Sequence, residues 1–256
     1  MILKCGKKKL FCFDLDETLT PSKQKSSEEI IHAFEELLKF SNCAIISGAS
    51  LNQIRKQIID YINPHHIPQI LIFPTCGASL FEYGVNGEYI ERYSFKLLEE
   101  EKAKIISTFD VPTYKIYGNL FEDKGSQITY SALGQDATSE IKKIWDPDCS
   151  KRKAILAKSA PMAPEFEYKI GGTTSIDVTI KGIDKSYAIK YLIQKGLYHK
   201  EDILYVGDAL YEGGNDFPVL KYGVDCIQTS GIEETVLILK NISEIVKCAI
   251  HGRNHK

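Results

Sequence analysis

Apolar and polar positions along the chain fall into three regimes. In the first, up to about residue 75, short apolar runs alternate with segments of helical period. Leu10-Phe11-Cys12-Phe13, the run CAIIS at 43–47 and QILIFPT at 69–75 predict strands buried on both faces. Between them, Ile30, Ile31, Phe34, Leu37 and Leu38 form a stripe at helical spacing, entered through a capping box of Ser26 and Glu29. A second helix, from about Ser50, carries Leu51, Ile54, Ile58 and Ile62 on one face and is stopped by Pro64. Strands and helices alternating through short links predict a parallel sheet covered on both faces.

The second regime alternates apolar and polar positions, as a half-covered antiparallel sheet does. SLFEY and EYIERYSF flank an Asn86-Gly87 turn and predict a hairpin. A charged helix follows at 96–108, then alternating segments in TYKIY and SQITYSAL, helices at 138–145 and 150–158, and strands in FEYKI and TSIDVTI. At Asp184 the first regime returns: a helix stopped by Gly196, a strand at 202–208 ending in Asp208, a short helix to Leu220, the strand VDCIQT and a last helix at 232–249. The predicted fold is α/β. A Rossmann-like parallel-sheet core built from residues 1–82 and 184–256 carries an inserted α+β cap domain at 83–183.

Composition narrows the function by exclusion. The 256 residues are 43% hydrophobic and 26% charged, enough to bury a real core. A formal net charge of −2 leaves no electrostatic footprint for nucleic acid or an anionic membrane. No apolar stretch approaches the roughly 20 residues that a membrane helix needs, and no signal-peptide core opens the chain. The seven cysteines form no CxxC pair and no Cys/His cluster, so a zinc site or disulfide framework is not expected. Reduced thiols in a cytoplasmic protein are the simplest account of them.

The chemistry concentrates where core strands end and core helices begin. Asp14 and Asp16 close the first strand, Ser47-Gly48 the second, Lys185 opens a helix, and Asp208 ends a strand ahead of Asn215 and Asp216. Open α/β sheets bind ligands at the carboxyl ends of their strands. A lone Asp-x-Asp would read as a turn. For Thr20, Lys23 and Asp184 a purely structural reading is as good as a functional one.

Taken together, DLDETLT, IISG, GIDKSYAI and GDALYEGGND, in that order and with the insert after the third strand, resemble the haloacid dehalogenase superfamily of phosphotransferases. The match is closest to its subclass with a type IIB cap. The resemblance implies that Asp14 is a nucleophile forming an aspartyl-phosphate and that Asp16 is the general acid and base. The second role requires a raised pKa, which a neighbouring carboxylate helps to supply. It further implies a Mg²⁺ ion held by Asp14, the backbone carbonyl of Asp16 and Asp208, with Asn215 or Asp216 completing the set directly or through water. Lys185 would supply fixed positive charge, and Ser47 with the neighbouring Gly48 amide would hold phosphate oxygens.

Within the insert, GGTTSIDV is similar to a segment of the eukaryotic-type phosphomannomutases, which implies that Ser175 and Asp177 contact a sugar phosphate. Read alone, the pair is an alternating strand with two polar residues. The two cap arginines that grip a distal phosphate in those enzymes fall on Lys124 and Gln135 by counting, and a loop arginine falls on Lys23. One charge would then be kept in weaker geometry and another lost, because a lysine lacks the planar fork of arginine. Cys76-Gly77 stands where the mutases carry Asn-Gly.

The expectation is therefore a Mg²⁺-dependent phosphatase acting on a small sugar phosphate or related metabolite. A phosphomannomutase-type hexose phosphate mutase is the alternative, and a non-catalytic binding protein on the same fold is a second. The family resemblance also suggests a homodimer formed through the cap.

Overall fold

The computed structural model describes residues 2–253. In chain order the first part holds β1 (Leu10–Phe13), α1 (Glu28–Leu38), β2 (Asn42–Ile46), α2 (Leu51–Gln57), β3 (Ile70–Phe73), β4 (Ser79–Tyr83) and β5 (Tyr89–Ser94). The middle holds α3 (Glu99–Ser107), β6 (Phe121–Asp123), β7 (Ile128–Ser131), α4 (Ser139–Trp145), α5 (Ser150–Ser159), β8 (Phe166–Ile170) and β9 (Ser175–Ile180). The chain closes with α6 (Lys185–Gln194), β10 (Ile203–Gly207), α7 (Phe217–Tyr222), β11 (Asp225–Gln228) and α8 (Ile232–Arg253).

The larger sheet has the order β11-β10-β1-β2-β3-β4-β5, parallel from β11 to β3 and antiparallel beyond. Strand β1 shows why its apolar run has no alternation. Phe11 and Phe13 pack on one face with Phe34 of α1 and Leu239 of α8, while Leu10 and Cys12 pack on the other with Ile189 and Leu192 of α6. Both faces are covered, so every position is apolar. The order reverses at β1, which has β2 on one side and β10 on the other. Asp14, Ser47 and Asp208 therefore emerge side by side at the carboxyl edge.

The smaller sheet, β6-β7-β9-β8, is antiparallel. One face packs Ile128, Tyr130, Ile176 and Val178 against Ile105 of α3 and Phe109. The other carries Thr129 and Ser131 opposite Asp177 and Ser175, in register. That face is polar because it looks onto the carboxyl edge of the larger sheet.

Several details differ from expectation. Ser27, not Ser26, caps α1, and the Ser26 hydroxyl instead donates to the Leu19 carbonyl. Helix α2 ends at Gln57, before Ile58 and Ile62. TYKIY forms no strand: the backbone of Tyr117 bonds to Leu133 and Asp136 rather than to a sheet neighbour. The hairpin β4–β5 belongs to the larger sheet through β3, so the boundary drawn at residue 83 cuts through it. Hairpin pairing is local and looks the same in sequence whichever sheet it extends.

Candidate active site

A cavity of about 980 Å³ lies between the carboxyl edge of the larger sheet and the polar face of the smaller one. Of the residues singled out in the sequence, Asp14, Asp16, Lys23, Ser47, Gly48, Lys124, Ser175, Asp177, Asp208 and Asn215 line it. Lys185 and Asp216 lie beneath the floor, fully buried.

Lys185 opens α6, an electrostatically poor place for a cation. It is held there because its Nζ lies 2.6 Å from Asp14 Oδ1 and 2.7 Å from Asp216 Oδ1. Burial works against the ammonium, but the two carboxylates override it and hold Lys185 well above the usual lysine range. Asp184 caps the same helix, its carboxylate accepting from the backbone and hydroxyl of Ser186.

Asp14, Asp208 and Asp216 present carboxylate oxygens within 4.8 Å of one another. Burial first, then repulsion from Asp216 and Asp208, pushes Asp14 up against the pull of Lys185. Burial and Asp216 raise Asp208 to about 6. Three carboxylates around one ammonium leave the floor short of positive charge. Asn215 Oδ1, buried at the same edge, has no hydrogen-bond partner. An all-oxygen cluster with a spare buried acceptor fits a hard divalent cation.

Asp16 stands at the rim. Its Oδ1 accepts from the Lys23 backbone amide and from Gln57 Nε2, each at 3.0 Å. Gln57 is buried and also donates to Thr20 Oγ1, so one amide fixes both the acid and the loop that carries it. Ser47 Oγ accepts from the Ala49 amide at 3.0 Å, which leaves its proton directed elsewhere. The Ser47 carbonyl accepts from the Cys76 amide at 2.8 Å, across a turn in which Thr75, Cys76 and Gly77 all have positive φ. Burial, with Asp177 nearby, pushes the Cys76 thiol up.

The smaller sheet reaches down to Gly48. Lys124 Nζ and Gln127 Nε2 both donate to the Gly48 carbonyl, at 2.8 and 3.2 Å. A side chain at Gly48 would collide with Asp177 Oδ2, 2.8 Å from where its Cβ would stand. Asp177, buried, accepts from Thr129 Oγ1 at 2.7 Å, and burial raises its carboxyl despite Lys124.

Around Gln135 the cavity also gathers two lysines. Gln135, where counting lost an arginine, accepts from Lys23 Nζ at 2.7 Å through Oε1, and its carbonyl accepts from Lys142 Nζ at 2.9 Å. Its own Nε2 is buried without a partner. Burial and the nearby Lys23 hold the Lys142 ammonium below its ordinary range. Helix α4 thus brings the Lys142 ammonium onto the Gln135 backbone. Sequence reasoning also missed Arg152. Its guanidinium is buried, donates to Asp146 Oδ2 at 2.7 Å and to the carbonyls of Gly171 and Gly172, and so fixes the turn leading to Ser175 and Asp177. Gln57, Lys142 and Arg152 lie in charged or polar helical segments, and only the fold turns them toward the site.

Comparison with known proteins agrees with this geometry. A phosphomannomutase of Encephalitozoon cuniculi is 28% identical over 235 residues, covering 84% of this chain and 85% of the relative. One of Schizosaccharomyces pombe is 24% identical over 225 residues, covering 83% and 85%. Among solved structures, an IMP-bound, N-terminally truncated IMP-nucleotidase of Plasmodium falciparum superposes with a TM-score of 0.67 at 17% identity, over 93% of this chain and 68% of that one. A trehalose-6-phosphate phosphatase related protein does so with a TM-score of 0.56 at 16% identity, over 97% and 100%. Those likenesses speak for the fold alone; with the phosphomannomutase relatives beside them, it is that of the haloacid dehalogenase superfamily of phosphatases and mutases. The sequence model described as eukaryotic phosphomannomutase matches residues 31–244, from the first helix of the core into the last. By that match the chain belongs to the eukaryotic phosphomannomutase family.

Proposed function

We propose that this phosphotransferase is a hexose phosphate mutase of the phosphomannomutase type, working through an aspartyl-phosphate. The observation that carries the choice of mutase over phosphatase is the group of cations around Gln135. Lys23, Lys142 and the unpartnered Gln135 Nε2 gather there, with Glu122 beside Lys23, in the cavity that Asp14 also lines. A monoester phosphatase needs one anion-binding end. A mutase handling a sugar bisphosphate needs two, and the lysines beside the uncharged Gln135 support a second one.

In this reading Asp14 attacks phosphorus and the bond to the sugar oxygen breaks. The Asp16 carboxyl gives its proton to that oxygen, leaving a phosphorylated Asp14, a free hydroxyl and an Asp16 carboxylate. Asp16 then takes a proton from the incoming hydroxyl in the reverse step. Gln57 keeps Asp16 turned toward the cavity. Lys185 offsets the charge that builds on the phosphoryl group, while the Ser47 hydroxyl and the Gly48 amide hold its oxygens. Asp14, the Asp16 carbonyl, Asp208 and Asn215 would hold Mg²⁺, which when bound neutralises phosphoryl charge and aligns the phosphate with Asp14. Asp216 already accepts from Lys185, Tyr205 and the Ala209 amide, which supports an anchoring role for it. Ser175 and Asp177 would meet the sugar. Lys124 and Gln127, bonded to Gly48, would keep the lid down and water out while the bisphosphate turns round.

No helix among the described residues is long and apolar enough to cross a membrane, and all seven cysteines are unpaired. Both support a cytoplasmic enzyme. A homodimer through the cap, which the family resemblance suggests, would have the exposed Ile141 and Ile144 of α4 to bury.

The test is a panel of hexose monophosphates with Mg²⁺, with and without a hexose 1,6-bisphosphate, following both isomerised product and free phosphate. Isomerisation that depends on the bisphosphate is expected. Free phosphate as the main product, without need of activator, would return the reading to a phosphatase. Silence across the panel, unchanged by EDTA, would favour a binding protein.

A further inference from the structure

Beneath the cavity four polar groups form a chain: Tyr205 Oη, Asp216 Oδ1, Lys185 Nζ and Asp14 Oδ1. The successive links are 2.5, 2.7 and 2.6 Å. Three of these groups belong to motifs of the phosphoryl-transfer site. Tyr205 does not. It stands in the middle of the apolar strand β10, is completely buried, and does not border the cavity.

A phenol in that position calls for a reason. Phenylalanine would fill the same volume without burying a hydroxyl, which is costly unless it finds a partner. The surroundings are cut to fit the ring. Its neighbours across the sheet are the small residues Cys12 on β1 and Cys226 on β11. Two residues on is Gly207, where a Cβ would strike the Tyr205 ring at 2.9 Å and also the Asp216 carboxylate. The hydroxyl then reaches the same oxygen of Asp216 that Lys185 holds, while the Ala209 amide donates to the other oxygen at 3.0 Å. Three donors therefore fix the plane of a buried carboxylate, and that carboxylate fixes the ammonium on Asp14.

We propose that Tyr205 is a positioning residue for phosphoryl transfer: its hydroxyl clamps Asp216 so that Lys185 stays in register with Asp14. The inference rests on the phosphorylated-Asp14 reading above and not on the choice between mutase and phosphatase. Tyr205 does not border the cavity; it reaches the site only through Asp216, on the oxygen that Lys185 also holds. Its contribution belongs to turnover rather than to substrate binding.

Tyr205→Phe removes one oxygen and keeps the ring. The expected result is a fall in kcat of about 10-fold, the scale of one lost hydrogen bond to a charged group, with KM changed by less than about twofold. A second readout does not need turnover. Beryllium fluoride with Mg²⁺, a mimic of phosphorylated aspartate, should bind the variant about 10-fold more weakly by calorimetry. In an Asp216→Asn background the same substitution should weaken that binding by no more than about twofold, because the group being clamped has already changed. A purely structural tyrosine would lower the melting temperature and leave kcat and beryllofluoride affinity alone; that outcome, or a full loss persisting beside Asp216→Asn, overturns the proposal. Wild-type protein that does not bind beryllofluoride overturns the aspartyl-phosphate reading, and this inference with it.

Discussion

Lys185 Nζ sits 2.6 Å from Asp14 Oδ1, with the lysine 1% and the aspartate 5% exposed at their side chains. A buried ammonium at a helix start is unfavourable on two counts, burial and dipole. Two carboxylates make it tolerable, and in return it is the fixed positive charge in a floor of three acids. The pair is therefore a working part of the site whose removal is felt in both stability and rate.

Replacing that charge with an isosteric apolar chain separates the two effects. Lys185→Met should cost about 3 kcal/mol of stability, since it leaves Asp14 and Asp216 buried without their counter-ion. It should also lower kcat by at least about 10³-fold. Thermal denaturation and steady-state kinetics check both, and near-normal turnover would contradict the role given to the lysine.

The raised Asp208 makes metal binding readable through stability. Its carboxyl is pushed up to about 6 by burial and Asp216, against about 3.9 in an unfolded chain. The folded protein holds the proton more tightly, so this group's contribution to stability falls as pH rises between about 4 and 6. A divalent cation needs the ionised form and reverses that trend. The stabilisation by Mg²⁺ over EDTA should be small near about pH 5 and fully developed above about pH 7. Melting curves across that range decide it; a Mg²⁺ effect equally large at both ends would contradict the assignment.

Lys142 is expected to serve the far phosphate only. Lys142→Ala should weaken the apparent affinity for a hexose bisphosphate about 10-fold, the value of one charge-assisted contact. Release of phosphate from p-nitrophenyl phosphate, which has no second phosphate, should change by less than about twofold. Equal losses on both substrates would remove the far-end site.

Arg152 supports the sugar-facing turn from behind. Lysine keeps the charge but cannot fork to Asp146 and the Gly171 and Gly172 carbonyls together. Arg152→Lys should raise KM for the monophosphate about 10-fold, with a smaller effect on kcat and a lowered melting temperature. An unchanged KM would show that the turn holds itself.

What could be read from the sequence follows from what is local. Asp14, Ser47, Lys185 and Asp208 each stand at a strand end or helix start that the apolar pattern marks, so both their place and their convergence were legible. Lys142, Gln57 and Arg152 were not, since a charged residue on a helix looks solvated until the fold supplies the facing surface. Tyr205 was hidden in the opposite way. An aromatic in an apolar strand reads as packing, and only the position of Asp216 above it reveals the hydroxyl's purpose. The hairpin β4–β5 was legible as a hairpin, but the sheet it extends was not, because its pairing with β3 is the one part of it that is not local.

The central claim is that one phosphoryl group passes from sugar to Asp14 and back to sugar without going to water. Hexose 1,6-bisphosphate labelled with ³²P in both phosphates, incubated with unlabelled hexose 1-phosphate, Mg²⁺ and the protein, tests it in one tube. The account predicts label in the hexose 6-phosphate product, little labelled inorganic phosphate, and no transfer at all by Asp14→Asn. Label recovered mainly as inorganic phosphate, or transfer that survives Asp14→Asn, would contradict it.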